Sequence, residues 1–156
     1  MSGGAVSVSD GELVAAAKAA RALAYAPYSG FRVGAALLTE DGVVIPAGNV
    51  ENASYGLTIC AERAAVFAAV ASGQRRFLAI AVATDRADPV TPCGACRQVL
   101  REFPDGPDLR VLCAGDVPGA GGCPGPVLTL TLDQLLPRSF GPEQLRPEPE
   151  GEGQSP

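Results

Sequence analysis

The sequence predicts an α/β protein in which a five-stranded mixed sheet carries helices. Three observations predict it. An Ala-rich helical stretch precedes a hairpin pattern, and apolar runs of strand length then alternate with helical segments. Both later helices open at cysteine clusters, Thr58–Glu62 (TICAE) and Pro92–Cys96 (PCGAC). With 156 residues, 47% of them hydrophobic, the chain makes one globular domain that buries a core without disulfides.

Residues 1–8 are small and polar and are expected to fray. Ser9 with Glu12 forms a capping-box pattern ahead of an Ala-rich helix over Leu13–Tyr25, which Pro27 stops. Tyr25 and Tyr28 read as core packing residues, and Phe31 fits a core position as well. Arg32–Thr39 and Val43–Ala47, joined by Glu40-Asp41-Gly42, read as a β-hairpin. The loop Asn49–Gly56 leads into a helix over Cys60–Ala71 that ends at Ser72-Gly73. Its Ala64–Ala71 run is apolar almost all round, the pattern of a helix buried on both sides. Small side chains there also permit close packing against another subunit.

Phe77–Ala83 is a continuous apolar run, consistent with a central strand. A loop through Asp85–Pro92 delivers a second helix, Cys93–Phe103. Strands are expected over Leu109–Cys113 and Val127–Leu132, separated by a Gly/Pro-rich loop, 114–126, to which no function is assigned. A short helix starts in Asp133–Pro137. The charged Pro/Gly-rich residues 141–156 are expected to be a disordered tail, which leaves 9–140 as the domain.

Composition narrows the chemistry. The chain has no histidine, which removes Ser-His and Cys-His catalysis, histidine bases and histidine metal ligands. Proton transfer near neutral pH must then come from a carboxylate, a metal-activated water or a perturbed Cys or Lys. A net charge of −5 and a pI near 4.7 argue against nucleic acid as partner. No apolar run approaches the roughly 20 residues of a membrane span, and the N-terminus lacks the pattern of a signal peptide. A cytoplasmic location with no membrane partner is the expectation.

Five cysteines are an odd number and three stand at metal spacing, so a disulfide framework is not expected. The i, i+3 spacing of Cys93 and Cys96 puts both sulfurs on one face of a first helical turn. A helix N-terminus also favours the thiolate. With Cys60 they make three thiolates for a tetrahedral zinc whose fourth position stays open, the pattern of a catalytic site. Glu62 follows Cys60 by two residues and reaches that position without being a ligand. Cys113 reads as a buried apolar residue and Cys123 as a free loop thiol.

Four runs resemble the small homotetrameric cytidine deaminases, in the order that family has them. They are Ala24–Phe31 (AYAPYSGF), Asn49–Arg63 (NVENASYGLTICAER), Pro92–Leu100 (PCGACRQVL) and Leu135–Pro142 (LLPRSFGP). The resemblance covers about Leu13 to Phe140, with Cys60 where related zinc deaminases carry His. It implies a three-layer α/β/α fold, one zinc per chain and hydrolytic deamination of cytidine and deoxycytidine. Glu62 would carry a proton from water to ring N3 and then to the leaving ammonia. Asn49 and Glu51 would hold the ribose 3′-hydroxyl. Phe31, Ala53, Tyr55 and Ala61 would shape the substrate pocket. Arg63, held by Gln98, would draw charge from the ligand sulfurs. Phe140 would close a neighbouring subunit's pocket within a homotetramer.

Other readings stay open at this point. A closed structural zinc module would take Cys113 or Cys123 as fourth ligand, but leaves Glu62 and the Asn49–Tyr55 loop unexplained. A polynucleotide deaminase needs a basic surface that an acidic chain does not offer. A deaminase of the same fold acting on another cytosine nucleoside, such as a nucleoside antibiotic, is the nearest alternative.

Overall fold

The computed structural model describes residues 7–116 and 125–146. Helix α1 (Asp10–Ala20) starts on the expected capping box: Ser9 Oγ accepts from Glu12 N, and the Glu12 carboxylate accepts from Ser9 N. The helix ends five residues earlier than the sequence predicts. A 3-10 turn, Arg21–Leu23, follows it, and Ala24 is extended ahead of Ala26-Pro27. Tyr25 then pairs in a β-bridge with Val50, donating to Asn49 O and accepting from Glu51 N, both at 2.8 Å. That bridge turns its ring outward. Tyr25 and Tyr28 are both exposed, which corrects the core assignment of each.

Strands β1 (Gly34–Thr39) and β2 (Val44–Gly48) form the expected hairpin, with Leu38 opposite Val44. β1 also pairs antiparallel with β3 (Phe77–Ala83), which is parallel to β4 (Arg110–Ala114), and β4 is antiparallel to β5 (Val127–Thr131). The order is β2-β1-β3-β4-β5, a five-stranded mixed sheet with the all-apolar β3 at its centre.

Helix α1 covers one face. Its Leu13, Val14 and Ala17 pack on Ala36, Leu38, Ala79, Ala81, Ala83 and Leu112. The layers are close because these side chains are small; a Cβ on Gly34 would stand 2.1 Å from Ala17 O. Helices α2 (Ala61–Ala71), α3 (Gly94–Arg101) and α4 (Leu132–Leu135) lie on the opposite face. Their core joins Val66, Leu100 and Leu132 to Leu37, Phe77, Ile80 and Val111 of the sheet. Three α/β/α layers result.

Helix α2 ends in a Schellman motif. Gly73 has φ +89°, its N–H donates to Val70 O, and Gln74 N donates to Ala69 O. Within the single chain α2 is buried on one side only: Ala65, Val66 and Ala69 face the sheet, while Phe67, Ala68 and Ala71 are exposed. The second apolar side, which the sequence expects to be covered, is open in the single chain. Residues 142–144, assigned by composition to the tail, form a 3-10 turn tied to α3 through Arg101 and Glu143. Cys123, residues 1–6 and the end of the chain from 147 lie outside the described residues. Among the described residues, no helix is long and apolar enough to cross a membrane.

Candidate active site

The two helices that open at cysteines bring their N-termini together beside the end of β3. Cys60 is the N-cap of α2 and Cys93 the N-cap of α3, both with extended backbone, and neither side chain caps its helix. Each thiol is therefore free to turn towards the other helix. Cys96 stands on the first turn of α3 and is buried. The three sulfurs converge, with Cys60–Cys93 at 3.8 Å, Cys93–Cys96 at 3.5 Å and all within 4.8 Å of one another. A tetrahedron with Zn–S bonds of about 2.3 Å has edges of about 3.8 Å, so this donor set fits zinc closely.

Charge at the cluster is shared unevenly. A hydrogen bond from Cys96, assisted by Arg63 and Cys93, lowers the Cys60 thiol to about 5, and Cys96 is pushed up in consequence. Arg63 Nη2 lies 3.5 Å from Cys60 Sγ and 3.4 Å from Thr58 O. Its Nε is buried with no hydrogen-bond partner among the described residues. Gln98 Nε2 donates to Phe140 O at 3.0 Å and makes no hydrogen bond to Arg63 among the described residues. Cys113 lies buried on β4 and is not one of the converging sulfurs; burial pushes its thiol up to about 11. Among the described residues no fourth thiol joins the three.

A cavity of about 270 Å³ opens at the thiols. Cys60, Glu62 and Cys93 form its floor, with Phe31, Val33, Val82 and Val90 as apolar wall and Ser29, Asn49, Glu51, Thr58, Thr84 and Thr91 as polar rim. Glu62, on the first turn of α2, is 4% exposed. Burial raises its carboxyl to about 7, with the neighbouring Cys60 charge adding to the effect. Of the residues expected to bind substrate, Phe31, Asn49 and Glu51 reach this cavity. Asn49, 8% exposed, donates from Nδ2 to Phe31 O and accepts at Oδ1 from Val33 N, which ties the pocket wall to the start of β1. The Glu51 carboxylate accepts from Tyr28 N, Ser29 N and the Ser29 hydroxyl, and the hydroxyl holds it below the usual carboxylate range.

Four expected residues stand elsewhere. Ala61 is buried and not among the residues that line the cavity, and Ala53 is exposed on the loop. Tyr55 lies in an adjoining groove, its ring 5.9 Å from that of Tyr28. Phe140 is 57% exposed and outside the cavity of its own chain. The sequence reading missed Val33, Val82, Thr84, Val90 and Thr91. Thr91, one residue before Pro92-Cys93, was the position its spacing could have flagged. It also missed Arg86, whose guanidinium lies over the Phe31 ring at 5.4 Å from the centroid.

Comparison with known proteins gives a consistent result. The model of the family described as the cytidine and deoxycytidylate deaminase zinc-binding region matches residues 7–108. A protein named cytidine deaminase from Halalkalibacterium halodurans is 48% identical over 134 residues, 85% of this chain and 95% of that protein. The crystal structure of cytidine deaminase from Burkholderia pseudomallei superposes with a TM-score of 0.77 at 49% identity, covering 85% of this chain and all of that one (100%). The Mycobacterium tuberculosis cytidine deaminase structure gives 0.71 at 43% identity, over 86% and 98%.

Proposed function

The chain belongs to the cytidine and deoxycytidylate deaminase family with its zinc-binding region, and from that premise we propose that it hydrolyses cytidine and deoxycytidine at C4, releasing uridine or deoxyuridine and ammonia. One observation carries the reading at the level of chemistry: a buried carboxyl, Glu62, shares a nucleoside-sized cavity with three converging thiols. The thiols of Cys60, Cys93 and Cys96 hold one zinc per chain, and the metal supplies the Lewis acidity that makes water nucleophilic near neutral pH.

The chain's own residues do the rest. Glu62 takes a proton from the attacking water and passes it to ring N3. As the C4 carbonyl forms, Glu62 takes the second proton from the added hydroxyl and hands it to the departing amine, which leaves as ammonia. Burial poises its carboxyl near neutrality, where it both accepts and donates. Phe31, Val33, Val82 and Val90 exclude water from the ring and strengthen the interactions made inside the cavity. Glu51 is held by Ser29 and the Tyr28 backbone, so its carboxylate is preorganised to accept from the ribose 3′-hydroxyl. Asn49 keeps one amide hydrogen free for the same group. Arg63 draws charge from the Cys60 sulfur and so offsets the electron-rich three-thiolate set.

The finer reading extends to assembly and setting. It is a homotetramer in the cytoplasm, acting in pyrimidine salvage, with free nucleosides rather than nucleic acid or membrane as partners. Tyr55 and Ala53 lie at the rim between subunits, Ala61 backs the floor, and Phe140 closes the pocket of a neighbouring copy. Its exposure in the single chain and its hydrogen-bonded main chain on α3 support that placement.

The test is ammonia release from free cytidine, set against a single-stranded oligonucleotide and a cytosine nucleoside antibiotic. Release from cytidine and deoxycytidine is expected. Turnover of the oligonucleotide or the antibiotic with none of cytidine would overturn the substrate assignment.

A further inference from the structure

Arg97 follows directly on the second thiol pair, yet it does not point into solvent as a helix-surface cation would. Its guanidinium folds back and is used at three points. Nε donates to Pro92 O at 2.7 Å, Nη2 to Thr91 Oγ1 at 2.9 Å and Nη1 to Leu135 O at 2.6 Å. Two of these acceptors are the consecutive residues before Cys93. The third is the last residue of α4.

The cavity explains why such a tie matters. Cys96 is buried inside the first turn of α3, and Cys60 is hydrogen-bonded by Arg63. Cys93 is the exposed member of the three. It ends the stretch 84–92, which carries no helix or strand, and Pro92 just before it has no N–H with which to anchor the loop. The main-chain bond from Arg97 N to Cys93 O at 3.0 Å fixes the carbonyl side of Cys93 alone. The peptide on its other side is held by the Arg97 side chain.

We propose that Arg97 is a positioning residue for the metal centre: it pins the Thr91–Cys93 loop to α3 and α4 and thereby sets where the Cys93 sulfur stands. The far end of the pin is itself fixed. Beyond α4, Arg101 Nε donates to Ser139 Oγ at 2.9 Å and Gln98 Nε2 to Phe140 O, so Leu135 belongs to a segment clamped on α3. The planar guanidinium reaches all three acceptors in one fork, which a lysine ammonium at a single point does not. Thr91 also lines the cavity, so the same tie shapes the pocket wall.

This inference rests on the zinc reading of the three thiols, and the test separates the two. Zinc-loaded parent, Arg97→Lys and Thr91→Val proteins are each mixed with a chromogenic chelator well below their unfolding temperatures. Zinc release, KM and kcat are followed, with circular dichroism as the check of folding. Partners that orient metal ligands typically cost 10- to 100-fold in metal affinity when lost, so Arg97→Lys is expected to release zinc roughly tenfold or more faster than the parent, with raised KM. Thr91→Val removes one of the three bonds and is expected to shift both in the same direction by less. It carries the test alone if Arg97→Lys does not fold. Zinc release at the parental rate, with only the melting temperature lowered, would make Arg97 merely structural and overturn the proposal. A parent chain that holds no zinc would overturn the metal reading as well.

Discussion

Glu62 on α2 and Cys113 on β4 are both buried, and their chemistry differs because only Glu62 opens onto the cavity. On the proposed mechanism every proton transfer runs through the Glu62 carboxyl. Glu62→Gln is therefore expected to keep its zinc and fold while kcat falls by at least the 10²–10⁴ typical of a lost acid–base group. Metal analysis beside steady-state kinetics checks this, and a near-parental kcat would remove Glu62 from the mechanism. Cys113→Ala is expected to retain one zinc per chain, whereas Cys60→Ser or Cys96→Ser loses it. Cys113 also gives a pH signature. Its folded value, about 11, lies above the ordinary 9.0, so the folded state disfavours the thiolate. Its contribution to stability is complete below about pH 9 and lost as pH rises towards about 11. Denaturant titrations across that window should show a steeper decline for the parent than for Cys113→Ala.

The site depends on where the elements begin and end. Two helices start on thiols, and the free N–H groups and partial positive charge of each N-terminus favour the thiolate that a metal needs. The helices reach that position because α2 and α3 pack on one face of a sheet whose other face is filled by a closely seated α1. Gly34 sets that seating. Gly34→Ala would drive a methyl to within 2.1 Å of Ala17 O, so α1 must move off the sheet. The expected cost is about 1–3 kcal/mol from overpacking, against about 1 kcal/mol for removing the helix cap with Ser9→Ala. Urea unfolding compares the two, and a Gly34→Ala protein as stable as the parent would mean that the α1 contact yields easily.

Taken alone, the molecule leaves apolar surface uncovered. Phe67, Ala68 and Ala71 of α2 are exposed, and Phe67 borders a groove with Val66, Val70, Val99 and Phe103. Tyr25, Tyr28 and Tyr55 are exposed, and Tyr28 and Tyr55 line a groove beside the cavity. A homotetramer would cover such faces, and it would bring Phe140 to a pocket that its own chain does not give it. Light scattering should then report four chains. Phe67→Glu is expected to dissociate the assembly, and Phe140→Ala to raise KM with zinc retained. A fully active monomer at assay concentrations would rule out the composite site.

The strands, the hairpin, both cysteine-headed helices and the three-thiol cluster beside Glu62 are legible along the chain alone. Those signals are local: apolar runs, a turn pair, an i, i+3 spacing and a Ser/Glu cap each act within a few residues. Tertiary structure decided what depends on distant partners. Tyr25 and Tyr28 face outward because a bridge to Val50 fixes the chain's direction, which no nearby residue encodes. Asn49 proved to brace Phe31 and Val33, and Gln98 to hold Phe140 O rather than Arg63. Arg97 gained its role only when Leu135, 38 residues on, came within 2.6 Å. A long side chain can satisfy its donors in many directions, and only the packed fold, by placing the acceptors, selects one.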